Sequence, residues 1–367
     1  MTNWYEIHNI EKTDSPSLIV YPQRAKENIR QLIQMAGDAA LLRPHVKTNK
    51  IAEVCQLMLD AGINKFKCAT IAEAEMLGMI NAPDVLIAHQ PVGPKAERIL
   101  QLVQVYSKTK FSCVIDNFET AEILSKLFEP HQLVLPVFID LNVGMNRSGI
   151  TPEKALGLFN DVQSLKGISM VGLHGYDGHI RDTDLTERSR RSDEAFGKVE
   201  ALIKNIASIS SVVLQIVVGG SPSFPTHIKR KGIQFSPGTF VFWDWGYKHI
   251  VPDEPFEYAA LVITRIISIM DEHTMCTDLG HKSVAAENPL PRVHFLNAPD
   301  AEPTGQSEEH LVLKLPDTSK WKVGDVLYGV PVHICPTVAL YDTAVIVENN
   351  EVVDNWRVIA RARKITI

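Results

Sequence analysis

Arg43-Pro44-His45-Val46-Lys47-Thr48-Asn49-Lys50 closes an apolar run over 40–46, and its reading decides the fold of the first two thirds of the chain. A continuous apolar run is what a parallel strand buried on both faces looks like. Here it stops at a lysine, where a loop begins. In strand–helix barrels the C-terminal ends of the strands carry the chemistry. Seven further runs have the same texture, at 18–21, 65–70, 84–89, 111–116, 133–142, 168–177 and 212–220. Segments of helical period separate them, such as Ala25, Ile29, Leu32 and Ile33, or Ile71, Ala74, Met76 and Leu77. Eight alternating units over 15–248 predict an α/β fold, a (β/α)8 TIM barrel, with an open doubly wound sheet as the alternative.

Beyond Tyr247 the helical period gives way to alternation. Leu311, Leu313 and Leu315 read as one strand, 343–348 and 352–356 as a hairpin across Asn349-Asn350, and 358–365 as another strand. This predicts a C-terminal antiparallel β domain over 249–367, joined through Val251-Pro252-Asp253-Glu254-Pro255, with residues 1–14 packing on it.

The bulk composition excludes several classes. With 37 basic and 43 acidic residues the net charge is −6, and no basic stripe is present, so nucleic acid is not the expected partner. No apolar stretch has membrane-spanning length. Five widely spaced cysteines, and no signal peptide at Met1-Thr2-Asn3-Trp4, lead us to expect a reduced, cytoplasmic setting.

Five groups of residues invite chemistry. A partly desolvated lysine loses basicity and can hold an aldehyde cofactor as a Schiff base, which makes Lys47 the first candidate, with Lys50 competing. Gly219-Gly220-Ser221 follows a strand and offers backbone and hydroxyl donors to an anion, and Ser236-Pro237-Gly238-Thr239 can close over the same group. A lysine at one strand end and a phosphate cradle at another suit pyridoxal 5′-phosphate. Arg147, within Asp140-Leu141-Asn142-Val143-Gly144-Met145-Asn146-Arg147-Ser148-Gly149, binds the cofactor's phenolate or a substrate carboxylate if it turns inward, and otherwise caps a helix. His174-Gly175-Tyr176-Asp177-Gly178-His179 offers a base near neutral pH, with one of its histidines structural. Finally, His333-Ile334-Cys335 in a strand puts imidazole and thiol on one face, suited to zinc, unless it is a buried cysteine beside a packed histidine. Ser307-Glu308-Glu309-His310 reads as a solvated turn.

In this order, the Lys47, Asp140–Gly149, Gly219, Ser236, Ser307 and His333 segments resemble the fold-type III pyridoxal phosphate enzymes, in particular the D-threonine aldolase and D-serine dehydratase group. The resemblance covers nearly the whole chain. It implies an alanine-racemase-like barrel, a homodimer, and a small-molecule D-amino acid substrate. It also implies Lys47 as the cofactor-bearing lysine, with Arg147, Tyr176, Gly219, Gly220, Ser221, Gly238 and Thr239 around the cofactor. A divalent metal (zinc, manganese or magnesium) would sit on His333 and Cys335. Asn49 departs from the histidine common in the group. Cys335 leans toward the dehydratases and His179, after Tyr176-Asp177-Gly178, toward the aldolases, where it would be the base. The expectation is a lyase cleaving D-β-hydroxy amino acids to glycine and an aldehyde. The alternative is β-elimination to a keto acid and ammonia; an amino-acid racemase or a non-catalytic pyridoxal phosphate carrier is more distant.

Overall fold

The computed structural model describes residues 3–367; Met1 and Thr2 of the N-terminal segment lie outside the described residues. The chain forms two compact units that interleave in sequence. A β unit comprises Met1–Gln31, Thr48–Val54 and Thr239–Arg361, and a barrel unit comprises Leu32–Lys47, Cys55–Gly238 and Ala362–Ile367. The first strand, β1 (Ser17–Val20), belongs to the β unit although its sequence reads like a barrel strand.

The barrel unit is built on seven parallel strands in sequential order: β2 (Lys65–Cys68), β3 (Asp84–Ile87), β4 (Lys110–Ile115), β5 (Leu135–Leu141), β6 (Ile168–Gly175), β7 (Gln215–Val218) and β8 (Ile233–Phe235). Helices fill the crossovers, among them Ile71–Met79, Phe118–Phe128 and Leu185–Ile209. Their starts are written locally. The side chains of Thr70, Asn117 and Asp184 accept the backbone N–H groups of Glu73, Thr120 and Glu187, satisfying donors that a helix start leaves open.

The segment 42–46 completes the ring. Arg43 N donates to Phe235 O (2.8 Å) and His45 N to Pro237 O (2.9 Å) on one side; Val46 N donates to Lys67 O (2.9 Å) and Pro44 O accepts from Lys67 N (2.8 Å) on the other. Pro44 has no N–H, so the segment makes isolated parallel bridges, Leu42 to Phe235 and His45 to Lys67, rather than a continuous ladder. It takes the place that sequence patterning had assigned among eight strands, and β8, only three residues long, takes the place assigned to 18–21.

The ring's interior is partly polar. Leu86, Val114, Phe138 and Val217 form an apolar cluster. Fully buried Arg43 donates to both Asp84 oxygens (2.7 and 3.1 Å) and to Gln234 Oε1 (2.8 Å).

In the β unit, β1 lies between β9 (Ala260–Ile269), antiparallel, and β15 (Thr343–Glu348), parallel; between these come β10 (Thr274–Thr277), β11 (Val293–Phe295), β12 (Glu302–Gln306), β13 (Leu311–Lys314) and β14 (Val326–Pro331). β16 (Glu351–Arg357) follows β15 across Asn349-Asn350, both at positive φ (52° and 63°), the backbone that a tight hairpin demands. Leu311 and Leu313 are buried as the alternation predicted. Leu18, Ile19 and Val20 are completely buried because a central strand of this sheet is covered on both faces, which is why β1 mimics a barrel strand. Ile7, Ile19, Tyr21, Leu261 and Tyr328 share one cluster, against which Trp4, Tyr5 and Ile10 pack. The expected strand at 358–365 is absent: 3-10 helix Ile359–Arg361 begins there instead.

Candidate active site

Lys47 directly follows the ring-closing segment, half-buried, with its backbone N–H donated to His45 Nδ1 (3.2 Å). Its amine stands 5.6 Å from the centroid of the Tyr176 ring, which follows β6. The guanidinium of Arg147, exposed in the loop after β5, lies 4.9 Å from the same centroid, and Lys67 Nζ from β2 lies 5.5 Å away. Three cationic side chains from three strand ends thus gather on one aromatic ring, each within the range of favourable cation–π contact. Beside them opens a cavity of about 250 Å³, lined by His89, Lys95, Asp116, Arg147, His174 and Tyr176 among others.

Beneath Tyr176 runs a buried polar chain. His174 Nδ1–H donates to Asp140 Oδ1 (2.7 Å), and Lys67 Nζ donates to His174 Nε2 (3.3 Å). Burial opposes ionisation of Asp140, but the His174 hydrogen bond holds its carboxyl below the ordinary value. Burial, and then the Lys67 charge, push His174 down. Burial and the Lys47 charge bring Lys67 to about 7. Sequence patterning overlooked Lys67, because Lys65-Phe66-Lys67-Cys68 alternates like a strand with a wet face. In a closed ring the alternate face is the interior.

Of the two histidines in 174–179, His174, at the end of β6, is thus locked in place. His179 is half-buried: its Nδ1 is inaccessible and has no hydrogen-bond partner, and its Nε2 would lie 2.9 Å from a Cβ placed on Gly144. Burial lowers its pKa, with Asp177 opposing, so the ring is a neutral imidazole near pH 7. Asp177 is a brace. It accepts from Ser223 Oγ (2.5 Å) and His227 Nε2 (2.7 Å), tying the loop after β6 to the loop after β7.

That second loop carries Gly219-Gly220-Ser221, the segment expected to receive a phosphate. Gly219 has φ +80°, and a Cβ on Gly220 would come within 2.8 Å of the Tyr176 ring, so both glycines are required by the close approach. Ser221 Oγ accepts Gly238 N–H (3.2 Å), bringing together the two loops expected to enclose an anion. The Gly220 N–H is donated to Ser223 Oγ (3.1 Å). An aldehyde-reactive amine, an arginine, an aromatic platform and a glycine hollow fit pyridoxal phosphate.

The His333–Cys335 pair lies in the β unit, and its geometry differs from the strand expectation. His333 caps the short helix Ile334–Val338, which contains Cys335. The two side chains meet through the helix start, hydrogen-bonded to each other. His333 Nδ1–H donates to Glu287 Oε1 (2.5 Å), which leaves Nε2 as the ring's other nitrogen; Thr48 Oγ1 and Thr239 Oγ1 lie 3.1 and 3.6 Å from the Cys335 sulfur. Burial works against a charged His333, yet the Cys335 and Glu287 partners raise it to about 9. Buried Asp244 accepts the Ile334 N–H (3.0 Å) and anchors this turn. One imidazole and one thiol suit a borderline divalent ion; among the described residues no group of three or more His, Cys, Asp or Glu side chains is gathered for a metal. Asn49 serves its own turn, accepting Ile51 N–H (3.1 Å). Ser307–His310 is an exposed turn, with Glu308 and Glu309 paired to Lys282.

Comparison with known proteins agrees with this fold. The model of the alanine racemase, N-terminal domain, matches residues 20–238, and that of a serine dehydratase domain matches 259–347. A D-threonine aldolase from an Arthrobacter species is 26% identical, covering 96% of this chain and 94% of its own. A 3-hydroxy-D-aspartate aldolase from Paracoccus denitrificans (strain Pd 1222) is also 26% identical, with 95% and 92% covered. The crystal structure of D-threonine aldolase from Filomicrobium marinum superposes with a TM-score of 0.87 at 25% identity, covering 95% of each chain.

Proposed function

The chain belongs to the alanine racemase N-terminal domain family, and on that premise we propose that it is a pyridoxal phosphate- and divalent metal-dependent lyase that cleaves D-β-hydroxy amino acids to glycine and an aldehyde. Lys47 is the covalent anchor of the coenzyme. Arg147 and Tyr176 hold its ring, and Gly219, Gly220, Ser221, Gly238 and Thr239 receive its phosphate. Bound there, the coenzyme supplies an electron sink for the bond that breaks at the substrate's α-carbon. A divalent ion on His333 and Cys335 supplies Lewis acidity toward the β-hydroxyl. The remaining work is done by side chains. Arg147 orients anionic oxygens, and His179 takes the proton of the β-hydroxyl at its unprotonated nitrogen as the Cα–Cβ bond opens. The reading extends to a cytoplasmic homodimer; no helix among the described residues is long and apolar enough to cross a membrane.

The observation that carries the aldolase reading is His179, a neutral, half-buried imidazole three residues beyond Tyr176. The thiol at Cys335 favours a second reading, β-elimination to a keto acid and ammonia. Incubating the coenzyme- and metal-loaded protein with D-threonine, D-serine and D-phenylserine separates them. Aldehyde and glycine are the expected products; keto acid and ammonia, with no aldehyde, would replace the aldolase by the dehydratase.

A further inference from the structure

The ring interior holds an amine that the proposed reaction has not used. Lys67 is 2% exposed, and its Nζ donates to His174 Nε2 (3.3 Å), whose Nδ1–H is held by Asp140 (2.7 Å). This chain fixes the imidazole tautomer: His174 carries its proton on Nδ1 and accepts at Nε2, so the amine is the member free to gain or lose charge. Lys67 Nζ and Lys47 Nζ lie 5.5 and 5.6 Å from the centroid of the same Tyr176 ring. The charged groups acting on Lys67 are Lys47 and Arg43, from the ring-closing segment, and Asp140 and Asp177, from the ends of β5 and β6; Arg147 acts on His174 from the loop after β5. Lys67 is buried and faces the same ring as Lys47, so a positive charge on Lys47 lowers the readiness of Lys67 to hold a proton.

We propose that Lys67 is a positioning residue coupled to Lys47, binding a proton when Lys47 gives up its own and releasing it when Lys47 becomes cationic, so that the net charge around Tyr176 stays constant through turnover. This deepens the lyase reading and rests on it, since Lys47 changes charge only if it exchanges the coenzyme with a substrate amine. No covalent bond at Lys67 is involved. One proton leaves one amine and one is bound by the other, while His174 and Asp140 keep their states. The position of Lys67 near neutrality, at about 7, is where such an exchange operates.

The test uses full-length protein freed of coenzyme and metal, labelled at lysine Cε with carbon-13 and titrated by NMR, with Lys67→Met identifying the Lys67 signal. A midpoint near neutrality is expected. It should move upward by about 1 unit in Lys47→Ala and stay low in Lys47→Arg, which keeps the like charge. A midpoint above 9, or one that Lys47→Ala does not move, overturns the proposal. In the loaded enzyme, Lys67→Met should erase the near-neutral limb of the kcat–pH profile with little change in KM. A lowered kcat with an unchanged profile shape would mean that Lys67 is structural, and would equally overturn it. The coenzyme-free titration does not depend on which substrate is cleaved, so its failure and failure of the lyase reading are distinguishable.

Discussion

An imidazole takes a proton from a hydroxyl only while it is neutral and only while it has room to approach. His179 meets the first condition through burial, which lowers its pKa against the pull of Asp177. Gly144 provides the second, because any side chain there would press on the His179 ring. His179→Asn keeps the size and removes the base, so aldol cleavage should fall by roughly 10²–10⁴-fold. β-elimination, which does not deprotonate that oxygen, should be spared. Steady-state assays of aldehyde and keto acid release check both. Although the roles of Arg147 and Tyr176 toward a coenzyme came from the family resemblance, Lys47, Arg147 and Tyr176 could be placed at strand ends from the apolar runs. Lys67 could not. A lysine in an alternating tetrapeptide is ordinary surface until the closure of the ring turns its face inward.

The ring-closing segment 42–46 owes its order to few backbone bonds and to one buried cation. Arg43 is fully buried and bidentate on Asp84, whose side chain is 23% exposed. Removing the carboxylate leaves the guanidinium buried with only neutral partners. Asp84→Ala should therefore destabilise the barrel unit by about 2–3 kcal/mol, below the range for a wholly buried pair because solvent reaches Asp84. Asp84→Asn, which keeps one acceptor, should cost less. Urea unfolding followed by far-ultraviolet circular dichroism measures both. The element readings that differed from the structure have physical causes of the same kind. Burial on both faces makes β1 of a mostly antiparallel sheet look like a parallel strand. Pro44 prevents 40–46 from making a ladder. With three residues, β8 is too short to show a period. His-x-Cys was read as a strand pair, but the two side chains meet because a helix starts between them. By contrast, the β15–β16 hairpin was legible, since consecutive asparagines at positive φ punctuate it.

For the molecule as a whole, a site that holds cations in a dry interior works against the stability of the fold around it. In the unfolded chain Lys67 would titrate near 10.5, whereas in the folded chain it titrates near 7. Because the folded value is depressed, the unfolded chain binds the proton more readily, and stability must rise with pH between those limits. The cost is fully present below pH 7 and fades as pH rises toward 10.5. At about 1.4 kcal/mol per unit it is on the order of 5 kcal/mol, a large share of an ordinary domain's stability. Lys67→Met removes the charge while keeping the length of the side chain. The variant should therefore be more stable than the parent at pH 6–7, and the gap should narrow steadily toward pH 10. Other groups titrate over the same interval, so the quantity that decides is the difference between parent and variant in chemical unfolding at each pH. A gap that does not change with pH would mean that Lys67 binds its proton equally well in the folded and unfolded chains, so that burial does not depress it. A parent more stable than the variant at pH 6 would mean that the Lys67–His174–Asp140 chain braces the barrel. A gap that closes with rising pH fits a fold that gives up stability to keep a titrating amine beside Lys47.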